Sequence, residues 1–156
     1  GTLGGASSVP SALNDDGWVV GYSYTTGNTA SHAVLWRDQP PVPVGIDIKP
    51  DDATNTINLK SAGVIPVAVL GSADFDAATV DPESVALSGA KVKMVGMAGK
   101  FLYHDEDING DGFTDRVFQI YTEQFLIEPG ATVAVLTGTT YTGTPIQGED
   151  FINIVQ

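Results

Sequence analysis

The chain has 156 residues and no cysteine, and its 19 acidic and 7 basic side chains give a formal net charge of −12. This charge argues against nucleic acid and anionic membrane surfaces as partners and favours cations, and the lack of cysteine excludes disulfides. No apolar run approaches the length of a membrane span. Eighteen glycines, nine prolines and little helical periodicity predict an all-β protein.

Residues 1–38 contain two β-rich segments separated by a turn. The motif residues are Leu13-Asn14-Asp15-x-Gly17-x-Val19-Val20-Gly21-Tyr22 and His32-Ala33-x-Leu35-Trp36. At these residues the chain resembles a HAF repeat, a β-rich unit found in tandem in secreted bacterial proteins. A single repeat cannot bury its apolar face alone. We therefore expect Trp18, Tyr22, Leu35 and Trp36 to pack either on the rest of the chain or on another molecule.

Residues 39–44 read Gln-Pro-Pro-Val-Pro-Val. Proline donates no backbone hydrogen bond and keeps the chain extended, so this segment predicts a stiff linker. The expected organisation is a HAF-like β-hairpin over residues 1–38, the linker over 39–44, and a second domain over 45–156.

The second domain shows seven to nine short β-rich runs separated by turns, among them 46–49, 57–60, 64–70, 116–121, 132–139 and 151–155. This spacing predicts an antiparallel β-sandwich, Ig-like or jelly-roll-like, with residues 1–38 as an N-terminal hairpin appendage. Pro66 indicates a bulge or a strand edge within its run. Asp81-Pro82 resembles a helix start and predicts one short helix.

The segment 105–115 carries most of the functional signal. Counted from position 107, oxygen-bearing side chains fall at positions 1, 3, 5 and 9 of a loop, with a glycine at position 6. A hard cation needs six to eight oxygen ligands, and this spacing can turn alternate side chains toward one. The predicted calcium ligands are the side chains of Asp107, Asn109, Asp111 and Asp115 and the carbonyl oxygen of Phe113.

The loop departs from a complete EF-hand because position 12 is Phe118 instead of glutamate, and because the flanking residues favour strands. It resembles the D-x-N-x-D-G loops of dockerins and other extracellular bacterial modules, placed here between strands. The remaining ligands would come from Asp105, Glu106, a distant carboxylate or water. The alternative is a plain hairpin turn, since Asn-Gly and Asp-Gly favour tight turns. Crowded carboxylates repel one another unless a cation neutralises them, which favours Ca²⁺.

Residues 45–156 also resemble a β-sandwich module that recurs in large secreted bacterial proteins. The resembling runs are Ile46-Asp47-Ile48-Lys49-Pro50, the stretch 57–71, Ala73-Asp74-Phe75-Asp76, Thr79-Val80-Asp81-Pro82 and the calcium loop. The resemblance implies an extracellular location and no catalytic role. The chain opens on Gly1 without a signal peptide, so we expect a piece of a longer protein.

Two functions follow as hypotheses. The first is a secreted, non-enzymatic, calcium-stabilised structural or assembly module of a bacterial cell-surface protein or fibre, associating with itself or another protein through its N-terminal strands. The second is a carbohydrate-binding accessory module of a polysaccharide-active enzyme. No nucleophile elbow or phosphate loop is present in the sequence.

Overall fold

A computed structural model describes residues 2–15, 17–37, 39–128 and 130–155. The chain divides into two compact units, Gly1–Pro40 and Pro41–Gln156. The boundary lies inside the segment predicted as a linker, but the second half of that segment is not a linker, because Val42–Pro43 forms a β-strand. The described residues contain strands and 3₁₀ turns without an α-helix, which confirms the all-β prediction. None of the helical segments in these ranges is long and apolar enough to cross a membrane.

The first unit is a three-stranded antiparallel sheet of β1 (Gly4–Leu13), β2 (Trp18–Thr25) and β3 (Ser31–Arg37), with β2 in the centre. The predicted hairpin corresponds to β2 and β3, and β1 is an additional edge strand that was not predicted. β1 lacks apolar alternation, contains Pro10 and is interrupted by two register shifts. Such irregularity is tolerated at a sheet edge, where only one side of the strand makes ladder hydrogen bonds.

The described part of this first unit contains no buried hydrophobic side chain, and Ser23 is its one buried residue. Val20 and Leu35 form a cross-strand pair, so their side chains share one face of the sheet, and they are 45% and 53% exposed. Val9 and Tyr22 pair on the same face and are also exposed. We call these four residues the Leu35 face.

The second unit contains thirteen strands and two 3₁₀ turns, Ala77–Thr79 and Thr122–Gln124, within its described residues. The strands are β4 (Val42–Pro43), β5 (Ile46–Ile48), β6 (Thr56–Asn58), β7 (Val64–Val69), β8 (Ala86–Leu87), β9 (Ala90–Lys91), β10 (Met94–Val95), β11 (Lys100–Phe101), β12 (Tyr103–Glu106), β13 (Asp115–Tyr121), β14 (Val133–Thr139), β15 (Pro145–Phe151) and β16 (Asn153–Val155).

Two sheets form the body of this unit. One has the strand order β12-β13-β7-β5 and the other β4-β15-β14-β8-β9. Inward-facing side chains from both sheets belong to one buried cluster, including Val67 and Phe118 from the first and Leu136 and Ile146 from the second. This is the packing expected of a β-sandwich. Its main ladders are antiparallel, while β4 pairs with β15 and β6 with β16 in parallel.

Pro66 lies in the interior strand β7 without the predicted bulge, because the ladder between β13 and β7 runs without a register shift. The carbonyl of Pro66 accepts a hydrogen bond from the N–H of Lys49 at 2.8 Å. The nitrogen of Pro66, which carries no hydrogen, therefore lies opposite Lys49, just beyond the end of β5, so no ladder hydrogen bond within β5 is lost. The predicted helix near Asp81 is also absent: residues 82–84 form a turn, and the nearby helical segment is the 3₁₀ turn Ala77–Thr79.

Candidate metal centre

The loop of residues 107–114 joins β12 to β13, whose last pair is Glu106 opposite Asp115. The hairpin places the loop at one end of the four-stranded sheet. Gly110 and Gly112 adopt positive φ values of 73° and 90°, the left-handed region that favours glycine. These two residues let the chain double back within a few positions, so the loop brings its acidic side chains together.

Asp107 organises the loop from its first position. Its Oδ1 accepts hydrogen bonds from the N–H groups of Gly110 (2.8 Å) and Asp111 (3.1 Å), and its Oδ2 accepts from Gly112 (3.0 Å). Three backbone dipoles thus point at one carboxylate, which offsets part of its negative charge. The loop is already curled around the side chain that would be the first calcium ligand.

Asn109 and Asp111 lie together beside Asp107. The Nδ2 group of Asn109 donates to Oδ2 of Asp111 at 3.0 Å, and its Oδ1 accepts from the N–H of Asp111 at 3.0 Å. Asp111 Oδ1 accepts from the N–H of Phe113 at 2.9 Å. The structure therefore brings together three of the predicted side chains, and all three are exposed at the loop surface.

Asp115 occupies a different environment, since it is 0% exposed. Its Oδ1 accepts from the N–H of Gly71 at 2.8 Å, just beyond the end of β7, and its Oδ2 accepts from the N–H of Ile108 at 2.9 Å. A side chain on Gly71 would place its Cβ 2.4 Å from the carbonyl oxygen of Thr114. Asp115 therefore acts as a latch that ties the loop to the core strand β7.

Asp105, named from the sequence as a source of extra ligands, is committed elsewhere. It forms a two-pronged ion pair with Arg116, at 2.7 Å from Nε and 2.8 Å from Nη2. This hydrogen-bonded pairing lowers the pKa of Asp105 and raises the pKa of Arg116. The Arg116 guanidinium also lies 4.6 Å from the ring centre of Tyr103 and donates to the carbonyl of Val80. Glu106, the other candidate, lies 3.4 Å from the Nε2 of the exposed His104.

The donor set of the loop fits a hard cation. Each carboxylate oxygen has two lone pairs, and Asp107 Oδ2, both oxygens of Asp111 and Asn109 Oδ1 each accept one hydrogen bond from the loop. One lone pair remains on each of these oxygens. Across the described ranges, no three His, Cys, Asp or Glu side chains come together as a metal-binding group. A calcium site here would therefore depend on amide and backbone carbonyl oxygens as well as on carboxylates.

A second acidic region was missed in the sequence because its members lie far apart in the chain. Asp47 on β5, Asp51 and Asp150 line a pocket of about 460 Å³. Burial, and then the negative charges of Asp150, Asp51 and Asp115, raise the pKa of Asp47. Asp150 accepts from the N–H of Ile48 and from the side chain of Asn55. Only the sheet pairing, which has no local sequence signal, shows that these residues meet.

No protein-family model matches the chain, and searches of curated proteins and of solved structures gave no match either. The resemblances to HAF repeats and dockerin-type loops remain predictions from the motif residues.

Proposed function

We propose that this chain is a non-catalytic, calcium-stabilised structural module of an extracellular bacterial protein or fibre. In this proposal the loop side chains of Asp107, Asn109 and Asp111 and the carbonyl of Phe113 hold the ion. Asp115, expected from the sequence to be a fourth side-chain ligand, is buried, and it also connects the loop to the core through the latch. The ion supplies positive charge to a loop rich in carboxylates and has no chemical step to perform.

The main support for this proposal is the latch, the two hydrogen bonds that Asp115 accepts from the loop and from the core. Asp115 bonds the loop at Ile108 and the core at Gly71, so any ligand that orders the loop also restrains the end of β7. Asp107 already accepts three backbone N–H groups. A loop that is preformed in this way loses little conformational freedom when it binds an ion.

The expected stabilisation is modest because the loop lacks a bidentate glutamate at position 12. Calcium sites of extracellular modules have dissociation constants of about 0.1–1 mM. With calcium at about 1 mM and a dissociation constant of about 0.1 mM, linkage contributes about 1.4 kcal/mol to the free energy of unfolding. For a unit of this size that raises the melting temperature by about 5 °C.

The test is a pair of thermal melts by circular dichroism, in calcium and in chelator. The proposal predicts the higher melting temperature in calcium. It also predicts that the difference disappears in Asp111→Asn and persists in Asp74→Asn, a matched exposed aspartate outside the loop. Equal melting temperatures of the parent chain in both buffers would contradict a stabilising ion.

Residues 1–40 supply the assembly part of the proposal. Their sheet leaves the Leu35 face exposed, and its edge strands β1 and β3 contain one charged residue, Arg37. Pro10 and the two register shifts interrupt the edge at β1, as natural proteins often do, so β3, whose ladder has no register shift, is the edge that can pair with another chain. Residues 1–40 carry three acidic and one basic side chain, a formal charge of −2 out of −12. Charge repulsion between two such sheets is therefore small.

Sedimentation velocity over a range of concentrations tests the assembly. The parent chain should associate with rising concentration. Leu35→Glu, which places a charge in the middle of the Leu35 face, should remain monomeric. Met97→Glu, at a fully exposed position of the β10–β11 turn, is the matched control and should associate like the parent. A parent chain that is monomeric throughout would show that the strands do not drive self-association.

A further inference from the structure

A pocket of about 410 Å³ lies beside Tyr141 in the second unit. The turn between β14 and β15 forms one wall, and residues 74–79, which follow β7, form the other. The residues that matter for its chemistry are Asp74, Phe75, Asp76, Tyr141, Thr142 and Thr144. This volume is within the usual range of small-ligand pockets.

Backbone hydrogen bonds hold the two walls together. The N–H of Tyr141 donates to the carbonyl of Thr79 at 2.9 Å, and the N–H of Asp81 donates to the carbonyl of Thr139 at 2.9 Å. Within the turn, the N–H of Thr140 donates to the carbonyl of Thr144 at 2.9 Å. The pocket is therefore a fixed feature of the fold, and a ligand would not have to order it.

Tyr141 presents an aromatic ring to this pocket. The residue is 61% exposed, yet its phenol group lies beside Tyr103 and Arg116. The backbone bond from Tyr141 to Thr79 fixes the base of the side chain at the pocket wall, while the ring stays accessible. The half-buried Phe75 adds a second aromatic side chain to the lining. An exposed ring on a fixed backbone position can pack against a flat apolar face of a ligand.

The pocket also offers hydrogen-bond acceptors. Within the part of the chain that the structure describes, neither Asp74 nor Asp76 forms an ion pair. Asp76 accepts one hydrogen bond at Oδ1, from the N–H of Ala78. The hydroxyl groups of Thr142 and Thr144 add groups that can donate or accept. The lining therefore combines a stacking surface with a polar rim.

An aromatic surface beside carboxylate and hydroxyl groups favours one class of ligand. A pyranose ring has C–H groups on one face, which the negative face of an aromatic ring attracts, and hydroxyl groups around its edge, which donate to carboxylates. An anionic ligand would meet two carboxylates in a chain of net charge −12. We infer that the pocket beside Tyr141 binds a pyranose unit of a neutral or amino-substituted glycan. This binding goes beyond the structural role proposed above and requires neither a calcium ion nor self-association.

The test is a titration of the isotope-labelled full chain, followed by the NMR signals of its backbone amides. The probes are the hexasaccharides of β-1,4-glucose, β-1,4-mannose and β-1,4-glucosamine, with oligogalacturonate as the anionic comparison. Titration to about 10 mM detects affinities in the millimolar range. The inference predicts saturable shifts for residues 74–76 and 141–144 with at least one of the three probes, and weaker or no binding of oligogalacturonate.

Variants then locate the binding. Tyr141→Ala should weaken binding at least about tenfold, because it removes the stacking ring. Tyr141→Phe keeps the ring and should bind within about twofold of the parent. Phe151→Ala, at another exposed aromatic residue that is 75% accessible and does not line the pocket, is the control and should bind normally.

Three results would overturn the inference: no saturable binding of any neutral or amino-substituted probe, binding that Tyr141→Ala leaves unchanged, or preferred binding of oligogalacturonate. Each titration is run in calcium and in chelator. If sugar binds but calcium does not change the melting temperature, only the proposed ion is contradicted. If calcium raises the melting temperature but no sugar binds, only the sugar site is contradicted.

Discussion

Asp115→Asn tests the latch between the loop and the core. The substitution keeps the size of the side chain but replaces one carboxylate oxygen with an amide NH₂ group. That group then faces the N–H of Gly71 or Ile108, and one of these donors loses its acceptor. An unpaired buried N–H costs about 1–3 kcal/mol, and the remaining bond loses about 1 kcal/mol with the negative charge. We expect the free energy of unfolding of residues 41–156 to fall by about 2–4 kcal/mol.

The assay must report on the unfolding of residues 41–156, the unit that contains Asp115. Both tryptophans, Trp18 and Trp36, lie in residues 1–40, so their fluorescence follows the other sheet. Urea unfolding is monitored by far-ultraviolet circular dichroism, which follows both sheets, in chelator so that no ion contributes; the transition that tryptophan fluorescence does not follow is assigned to the sandwich. Asp74→Asn serves as the exposed control and should change stability by less than about 0.5 kcal/mol. A loss below about 1 kcal/mol in Asp115→Asn would refute the latch, because an unpaired buried N–H alone costs at least that much.

Three further substitutions test the surroundings of the loop by the same unfolding assay in chelator. Because pairing with Arg116 lowers the pKa of Asp105 below 3.8, its stabilisation is present above that pH and is lost as the pH falls through the lower folded-state pKa. Asp105→Asn should therefore cost about 1–3 kcal/mol at pH 7, and the cost should shrink as the pH falls through the lowered folded-state pKa; a cost independent of pH would contradict the pairing. Asp47 has a raised pKa, so its charged form weakens the fold at neutral pH. Asp47→Asn should raise the melting temperature at pH 7, with a gain that disappears once the pH falls below 3.8, and a loss at pH 7 would show that the charge is favourable. Gly71→Ala should lower the free energy of unfolding by about 1–3 kcal/mol, because the new Cβ would collide with the carbonyl oxygen of Thr114. Unchanged stability would mean that the segments of residues 71 and 114 can separate without cost.

The sandwich and its loop could be predicted from local sequence signals. Short alternating runs between turns give the strand spacing, and Asn109-Gly110 with Asp111-Gly112 gives a hairpin connection. The acidic spacing correctly indicated that Asp107, Asn109 and Asp111 lie together. These signals depend on residues a few positions apart, which is the range over which backbone preference and side-chain alternation act.

The features that were missed depend on distant partners. The sequence places Asp115 in the loop, but it does not show that one of its oxygens bonds to Gly71, 44 residues away. β1 escaped prediction because an edge strand does not need apolar alternation, and Pro66 was misread because its missing N–H faces the end of a short neighbouring strand. In each case the sheet pairing decides the environment, and the pairing is set by the whole core.

The proposed function requires a calcium ion in the loop of residues 107–114. Calorimetric titration of calcium into the chelator-treated chain measures this binding. Asp107→Asn/Asp111→Asn is the loop variant, and Asp51→Asn, in the pocket of Asp47, is the control. The proposal predicts one ion per chain with a dissociation constant of about 0.1–1 mM, abolished in the loop variant and kept in the control. No binding by the parent chain, or binding that only Asp51→Asn removes, would contradict it.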